Sequence, residues 1–317
     1  MRILILGPFN DEHVKMIREA GGADAQIAFF PQGLKGQELL DELLKADVIV
    51  GDPDPAVLSQ TSNVKLMQST WAGADAYTHG PFPFPANTKL CNAVGSYGHI
   101  ISQHAIGELL AITMNLAGYR DLQAKHEWGD LGGNMSLEGT NVLIFGAGNI
   151  GGACAKRLMG FDVARIVGVC RNTAEPREHF DRLVTLAEAE VELPEADAVI
   201  CALPNSAESA GYLDARRLGM LKPGCALVNV GRGNFIDCDA LADILEAGAI
   251  RGAALDVTDP EPLPADHRLW DEPRCLITPH ISGGSFRHPT TTMNICKTAC
   301  YNIRALREGA PLKNQVL

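Results

Sequence analysis

Three residues of this 317-residue chain have the types that one reaction would need: Arg232, Glu261 and His280. Histidine exchanges protons near neutral pH, and a carboxylate on its second ring nitrogen fixes the tautomer and favours imidazolium. Arginine can hold a carboxylate or keto oxygen bidentately. The three residues together therefore predict proton transfer to or from a small anionic substrate.

Each of these residues also has an ordinary structural interpretation. A histidine or an arginine at a strand end can be a satisfied polar residue, and Glu261 lies in a proline-rich segment, residues 260–264, where a solvated carboxylate is common. However, Arg232, His280 and Asp256 all follow short apolar segments that are typical of buried strands. Ligands of an open parallel sheet bind beyond the carboxyl ends of its strands, so the joint placement favours a site.

A glycine-rich segment, Gly146-Ala-Gly-Asn-Ile-Gly151, follows one predicted strand and opens a predicted helix. Gly146 permits the tight turn, Gly148 lets the backbone approach a pyrophosphate, and Gly151 packs the helix on the strand. Asn149 and Ile150 then lie at a helix N-terminus, whose free N–H groups favour phosphate. The segment predicts dinucleotide binding, with a plain glycine turn as the alternative.

The residues after the next predicted strand, 165–170, bear on the choice of dinucleotide. An NAD-specific site usually has Asp or Glu there to accept from the ribose hydroxyls, but this chain has Arg171 and Asn172 and no carboxylate before Glu175. Arg171 can pair with a 2′-phosphate and stack on adenine; otherwise it is a solvated surface arginine. We therefore expect NADP to be preferred over NAD.

Strand and helix patterns alternate along both halves of the chain, which indicates parallel sheets with crossover helices. In the first half, the predicted strands are residues 2–6, 27–30, 46–50, 64–68 and 89–92. In the second half, strands are expected to end near residues 145, 170, 202, 230, 257 and 277. A single helix over residues 99–118 is expected to connect the halves, and a helix over residues 292–308 to return to the first.

The fold class predicted from these patterns is α/β, with two Rossmann-like, doubly wound parallel-sheet domains and a cleft between them. The expected domains are residues 1–98 with 288–317, and residues 99–287. Only Gly7-Pro-Phe-Asn10 stands at the phosphate-loop position of the first domain, so a dinucleotide is expected in the second domain alone.

Composition narrows the function classes. The net charge is −11 and no Lys/Arg run is present, which argues against nucleic-acid binding. The first apolar run is too short for a signal peptide or a membrane span. Nine cysteines without a CxxC pair are typical of reduced thiols in a cytoplasmic protein and predict no metal site.

The chain resembles the D-isomer-specific 2-hydroxyacid dehydrogenase family over essentially its whole length. The matching segments are residues 146–151, 202–204, 221–224, 228–233, 254–257, 260–264 and 278–283. The resemblance implies a flavodoxin-like substrate domain beside the dinucleotide-binding domain. Residues 119–134 resemble the family's dimer arm, which implies a homodimer; a solvated loop is the alternative.

The resemblance also implies roles for individual residues. Arg232 would bind the substrate, His280 would be the acid/base with Glu261 as its partner, and Asp256 would meet the nicotinamide carboxamide. Further cofactor contacts would come from strand-end residues: Leu203, Pro204, Val230, Gly231 and Gly283, together with Arg232 and His280 themselves.

A segment of the first domain, residues 68–75, resembles the family's substrate loop. The backbone N–H groups near Ala72 and Gly73 would bind the substrate carboxylate. Trp71 would form a wall of the side-chain pocket or, alternatively, pack in the core.

With Arg171 at this position, the chain resembles the NADP-using glyoxylate/hydroxypyruvate reductase branch of the family. We therefore expect hydride transfer between NAD(P)H and a short 2-keto or D-2-hydroxy acid. Formate dehydrogenases of this fold typically have Gln where Glu261 stands, and phosphoglycerate dehydrogenase fits the cofactor expectation less well. A dinucleotide-sensing corepressor, which the family also contains, is the alternative from a different class.

Overall fold

A computed structural model describes residues 1–284 and 288–317. The chain divides into two compact units, Met1–Tyr97 with Gly284–Leu317, and Gly98–Gly283. The boundary expected between residues 287 and 288 involves Arg287, which lies outside the described residues.

The first unit is built on a parallel sheet of five strands. The strands are β1 (Arg2–Leu6), β2 (Gln26–Phe30), β3 (Val48–Val50), β4 (Leu66–Gln68) and β5 (Lys89–Cys91), and the helices between them are α1 (Asp11–Gly21), α2 (Gly36–Leu43), α3 (Pro55–Leu58) and α4 (Asp75–Thr78). The strand order is β2-β1-β3-β4-β5, which is the flavodoxin-like order. After Arg2, strand β1 is apolar and buried because helices cover both faces of such a sheet.

The second unit contains a parallel sheet of seven strands. The strands are β6 (Asn141–Phe145), β7 (Arg165–Val169), β8 (Arg182–Val184), β9 (Ala198–Cys201), β10 (Ala226–Asn229), β11 (Gly252–Leu255) and β12 (Cys275–Ile277), and the helices are α5 (Gly98–Thr113), α6 (Leu116–Ala124), α7 (Asn149–Leu158), α8 (Ala215–Leu218) and α9 (Cys238–Glu246). The order is β12-β11-β10-β9-β6-β7-β8. Counted within this unit it reads 7-6-5-4-1-2-3, the doubly wound dinucleotide-binding order with one more strand.

The predicted fold class is confirmed: both halves of the chain are parallel α/β sheets. The single helix predicted over residues 99–118 is wrong, because Asn115 takes a left-handed conformation (φ 54°) that ends α5 and starts α6. Asparagine reaches this region more easily than most residues. The short edge strand β8 was not predicted either.

A last helix, α10 (Pro289–Glu308), belongs to the first unit, where it packs on α1. Its inner face buries Ile295, Cys296 and Ala299. Across residues 1–284 and 288–317, no helix is both long enough and apolar enough to cross a bilayer.

One row of backbone hydrogen bonds aligns the strand ends of the second unit. The N–H groups of Ala202, Val230, Asp256 and Thr278 each donate to the carbonyl of the last residue of the neighbouring strand, at 2.8–2.9 Å. The loops that follow β9, β10, β11 and β12 therefore leave the sheet side by side. This edge is the one that the sequence predicts for the site.

Candidate active site

His280 and Glu261 are brought together, although they lie on loops after different strands. Glu261 follows β11, His280 follows β12, and the His280 Nδ1 atom is 2.6 Å from Glu261 Oε1. Both side chains are about half exposed, at 50% and 44%. With the Glu261 carboxylate as acceptor, Nδ1 carries a proton and Nε2 remains available to a ligand.

The backbone at His280 is held in an unusual conformation. Its φ is +53°, a region that residues other than glycine enter rarely and at a cost of roughly 1–3 kcal/mol. The His280 N–H donates to the Asp256 carbonyl at 2.8 Å, so the sheet edge fixes this turn. Backbone strain of this kind concentrates at functional sites.

Asp256 is buried, 1% exposed, directly under this turn. Its Oδ1 accepts from the Thr278 hydroxyl at 2.6 Å and the Ile281 N–H at 2.8 Å, and its Oδ2 accepts from the Ser282 N–H at 2.8 Å. Both carboxylate oxygens of this buried side chain therefore have hydrogen-bond donors. Asp256 therefore ties the segment after His280 to the end of β11.

Arg232 lies on a turn that two contacts hold in place. Asn229, the last residue of β10, donates to the Arg232 carbonyl and accepts from the Gly231 N–H, both at 3.0 Å. A methyl group on Gly233 would overlap the Thr258 carbonyl oxygen, so this turn is packed directly on the loop that leads to Glu261. The guanidinium donates from Nη1 to the Gly231 carbonyl at 2.9 Å.

The glycine-rich segment has the steric properties of a pyrophosphate-binding turn. A methyl on Gly151 would overlap the Gly146 carbonyl oxygen, and Gly146 itself has φ +105°. A methyl on Gly148 would meet nothing within 4 Å, although Gly148 is the N-cap of α7 and provides no side-chain cap. Among the described residues, the turn thus has no free space at Gly151 and has free space at Gly148, where a phosphate would approach the helix N-terminus.

Three alanine substitutions separate these roles. We expect Gly151→Ala to destabilise the fold by about 1–3 kcal/mol through overpacking. Gly148→Ala should leave stability nearly unchanged and weaken dinucleotide binding at least about tenfold, because the methyl fills the phosphate position. Gly152→Ala, in open space on the same helix, is the control and should stabilise slightly. Thermal unfolding and nucleotide titration measure both effects; equal affinity in Gly148→Ala would contradict the assignment.

Arg171 and Asn172 follow β7 and are exposed. The Asn172 side chain accepts from the Ala174 N–H at 3.1 Å and so shapes the turn. Within residues 1–284 and 288–317, the Arg171 guanidinium has no hydrogen bond or ion pair that would hold it elsewhere. A second arginine, Arg177, donates to the Ala147 carbonyl of the glycine-rich segment. Arg177 was not predicted from the sequence, because nothing in its spacing links it to that segment.

The other predicted cofactor residues lie along the same edge of the sheet. Leu203 is partly buried, Pro204 is exposed, Val230 and Gly231 are buried, and Gly283 is partly buried. A methyl on Gly231 would lie 2.8 Å from the Leu203 carbonyl oxygen, so the loops after β9 and β10 are in contact. The roles of these residues in binding remain predictions.

The predicted substrate loop lies in the first unit, after β4. Trp71 is 50% exposed and stacks on Tyr97 with ring centroids 6.4 Å apart, so it is not a core residue. In the described chain, the backbone N–H groups of Ala72 and Gly73 donate no hydrogen bond. Two free N–H groups on one turn can bind an anion.

A partly buried carboxylate holds this loop in place. Asp52, two residues after β3, accepts from the Ser69 hydroxyl at 2.5 Å and from both donors of Thr70. Ser69 Oγ in turn accepts from the Trp71 N–H at 3.1 Å. Burial raises the pKa of Asp52, and the hydrogen bonds from Ser69 and Thr70 oppose that effect.

None of the described residues forms a cluster of three or more His, Cys, Asp or Glu side chains that could hold a metal ion. All nine cysteines are unpaired thiols. The second unit combines a dinucleotide-type sheet with an arginine and a histidine–glutamate pair on neighbouring loops. That combination defines an NAD(P)-dependent oxidoreductase.

Comparison with known proteins identifies the family. Residues 106–282, more than half of the chain, match the family model described as "D-isomer specific 2-hydroxyacid dehydrogenase, NAD binding domain". The chain therefore belongs to the D-isomer specific 2-hydroxyacid dehydrogenases, and the resemblance seen in the sequence is confirmed.

Individual relatives agree on the family but differ in activity. The chain is 30% identical to glyoxylate/hydroxypyruvate reductase A of Serratia proteamaculans, over 74% of this chain and 75% of the relative. It is 29% identical to formate dehydrogenase of a Pseudomonas species, over 87% and 70%. A family member of solved structure, from Aeromonas salmonicida, is 29% identical with a TM-score of 0.85 and covers 100% and 98% of the two chains.

Proposed function

We propose that the protein reduces a short 2-keto acid to the D-2-hydroxy acid with NADPH, using His280 as the acid. The observation that supports this most directly is the 2.6 Å contact between His280 Nδ1 and Glu261 Oε1. A carboxylate on Nδ1 stabilises imidazolium, and imidazolium is the form that can protonate a carbonyl oxygen. Formate oxidation needs no such proton transfer, so the pair favours a hydroxy-acid reaction.

In the proposed reaction, a reduced nicotinamide held at this edge of the sheet would supply the hydride for the carbonyl carbon. The negative charge that develops on the carbonyl oxygen is stabilised by the Arg232 guanidinium. His280 then donates its Nε2 proton to that oxygen, and Glu261 retains its hydrogen bond to Nδ1 throughout. In the reverse direction, neutral His280 accepts the hydroxyl proton at Nε2.

The substrate carboxylate is proposed to bind at the loop of Ala72 and Gly73, whose N–H groups are unused among the described residues. Trp71, half exposed and stacked on Tyr97, is proposed as a wall for the substrate side chain. Two large stacked rings favour an acid with a short side chain or none, such as hydroxypyruvate or glyoxylate.

A panel of 2-keto acids with NADPH and NADH, followed by loss of reduced-nucleotide absorbance, tests the proposal. We expect steady reduction of short keto acids and no reduction of matched acids that lack the keto group. A protein that binds nucleotide but turns over no keto acid would support the corepressor alternative instead.

NADPH is the proposed cofactor because arginine, not a carboxylate, follows β7. We expect Arg171→Ala to reduce kcat/KM for NADPH by about 10- to 100-fold, the effect of one lost charge-assisted hydrogen bond to phosphate. The value for NADH should change less than about threefold. Steady-state kinetics with both nucleotides measures the difference, and Arg18→Ala, an exposed arginine on α1, is the control. An equal loss with both nucleotides would contradict the assignment.

We also propose a cytoplasmic homodimer. Unpaired thiols fit a reducing compartment. The proposed arm, residues 119–134, exposes Trp128 completely and Leu131 by 42%, which is typical of a surface that another chain covers. A monomer in sedimentation equilibrium would contradict the arm.

A further inference from the structure

A second carboxyl group is buried next to Asp256, and the proposed reaction does not use it. Glu108 lies in the middle of α5 and is only 4% exposed. Its Oε1 atom is 3.2 Å from the Thr278 hydroxyl oxygen, which is itself 2.6 Å from Asp256 Oδ1. Two carboxyl groups therefore share one threonine.

The hydrogen bonds around this threonine distinguish the two carboxyl groups. A hydroxyl has one proton to donate, and the shorter contact shows that Thr278 donates to Asp256. Asp256 also accepts hydrogen bonds from two backbone N–H groups, so both of its carboxyl oxygens have donors. Glu108 Oε2, in contrast, is buried with no hydrogen-bond partner among the described residues. A buried, unpartnered carboxylate oxygen is costly, and protonation removes most of that cost.

Ionisable groups face Glu108 from its own helix and from the residue that follows β11. On its own helix, His104 Nε2 is 3.0 Å from Glu108 Oε1 and 3.9 Å from Asp256 Oδ1. Strands β10 and β11, which pack on α5, contain no ionisable residue, and Asp256 follows β11 directly.

The two neighbouring helices add no further charge to this cluster. On α7, Lys156 is exposed, Arg157 donates to the carbonyls of Ala153 and His99, and Cys154 is a buried neutral thiol. On α6, Arg120 and Asp121 are exposed. Burial, and next the charge of Asp256, raise the pKa of Glu108 to about 8.

We propose that Glu108 is a positioning residue that holds a proton behind Asp256 and, on releasing it, shifts the affinity of the site from reduced towards oxidised cofactor. This inference rests on the proposed function and, in addition, on the role that the family resemblance implies for Asp256, namely contact with the nicotinamide carboxamide. The oxidised ring carries a positive charge that the reduced ring lacks. A second buried negative charge behind Asp256 therefore stabilises the oxidised form selectively.

The test is the ratio of the dissociation constants of NADP⁺ and NADPH, measured by fluorescence titration between pH 6 and pH 9.5. The 2′-phosphate is the same in both nucleotides, so its titration cancels in the ratio. In the unmodified protein we expect the NADP⁺/NADPH ratio of Kd values to fall about tenfold as pH rises through about 8. In Glu108→Gln, which cannot ionise, the ratio should stay at its low-pH value. Glu246→Gln, exposed on α9, is the control and should titrate like the unmodified protein.

Thermal unfolding without nucleotide gives a second measurement. A raised carboxyl pKa means that the native state holds its proton more tightly than the unfolded state. The resulting stability is complete below about pH 4.5 and is lost as pH rises to about 8. The unfolding midpoint of the unmodified protein should therefore fall relative to that of Glu108→Gln across this window and run parallel above it.

The possible outcomes are distinct. A ratio that titrates identically in Glu108→Gln, or a midpoint difference that does not depend on pH, would overturn the inference about Glu108 alone. Failure of both nucleotides to bind at any pH would overturn the proposed function. If Glu108→Gln does not fold, infrared spectra of the unmodified protein decide: a protonated-carboxyl band that disappears near pH 8 supports the inference, and its absence overturns it.

Discussion

His280→Ala is expected to lower kcat for keto-acid reduction by about 10²- to 10⁴-fold, the usual contribution of a positioned general acid. Binding of the reduced nucleotide should change far less. The structural reason is that His280 is the residue that Glu261 orients, with Nδ1 occupied at 2.6 Å and Nε2 left for the substrate. Stopped-flow measurement of hydride transfer, with nucleotide affinity determined separately, tests the prediction.

Two further variants make the test specific. Glu261→Gln keeps a hydrogen-bond acceptor for Nδ1 but removes the charge that favours imidazolium, so its loss should be intermediate, about 10- to 100-fold. His179→Ala, which removes an exposed histidine of the same unit, should have no effect. An His280→Ala variant that keeps more than a tenth of the activity would refute His280 as the acid.

Arg232→Lys is expected to lower kcat/KM for the keto acid by about 10²- to 10³-fold even though the positive charge is kept. Lysine lacks the planar pair of donors that binds a carboxylate or keto oxygen bidentately, and loss of one such donor commonly costs this much. Asn229 and the Gly233 contact fix the turn. The backbone therefore cannot move to restore the substrate contact that the lysine side chain loses.

The kinetic pattern distinguishes the site role from a structural one. Loss of substrate binding and of charge stabilisation should raise KM and lower kcat together, while the unfolding midpoint stays nearly constant. Partial rescue of Arg232→Ala by free guanidinium would support direct contact. Arg18→Lys is the matched surface control. A variant whose lost activity tracks only its lost stability would rule out Arg232 as a ligand of the substrate.

The sequence predicted the sheets well because buried parallel strands are short apolar runs followed by polar turns. Strand β1 has the predicted bounds, β6 and β12 end at the predicted residues, and β11 ends two residues before the predicted end. The break at Asn115 could not be seen, because the apolar period continues through it. Strand β8 is a three-residue edge strand that begins with an exposed arginine, and so lacks the apolar run that marks the others.

The candidate site was predictable only in part. Residue types at strand ends singled out Arg232, Asp256 and His280, since sheet topology alone places such residues along one edge. The positive φ of His280 and the contact of Arg177 with Ala147 depend on how loops fold back, which no local pattern encodes. Glu108 could not be singled out for a different reason: it is one of several polar residues that interrupt the apolar pattern of its helix.

The overlap that any methyl on Gly233 would make with Thr258 has a consequence for redesign of the enzyme. The turn that carries Arg232 and the loop that leads to Glu261 are packed directly on each other, so neither can be lengthened or reshaped alone. Efforts to change which keto acid is accepted should leave this turn and loop unchanged and vary Trp71 and its surroundings. There the backbone belongs to a separate compact unit, and half of the indole is already in contact with solvent.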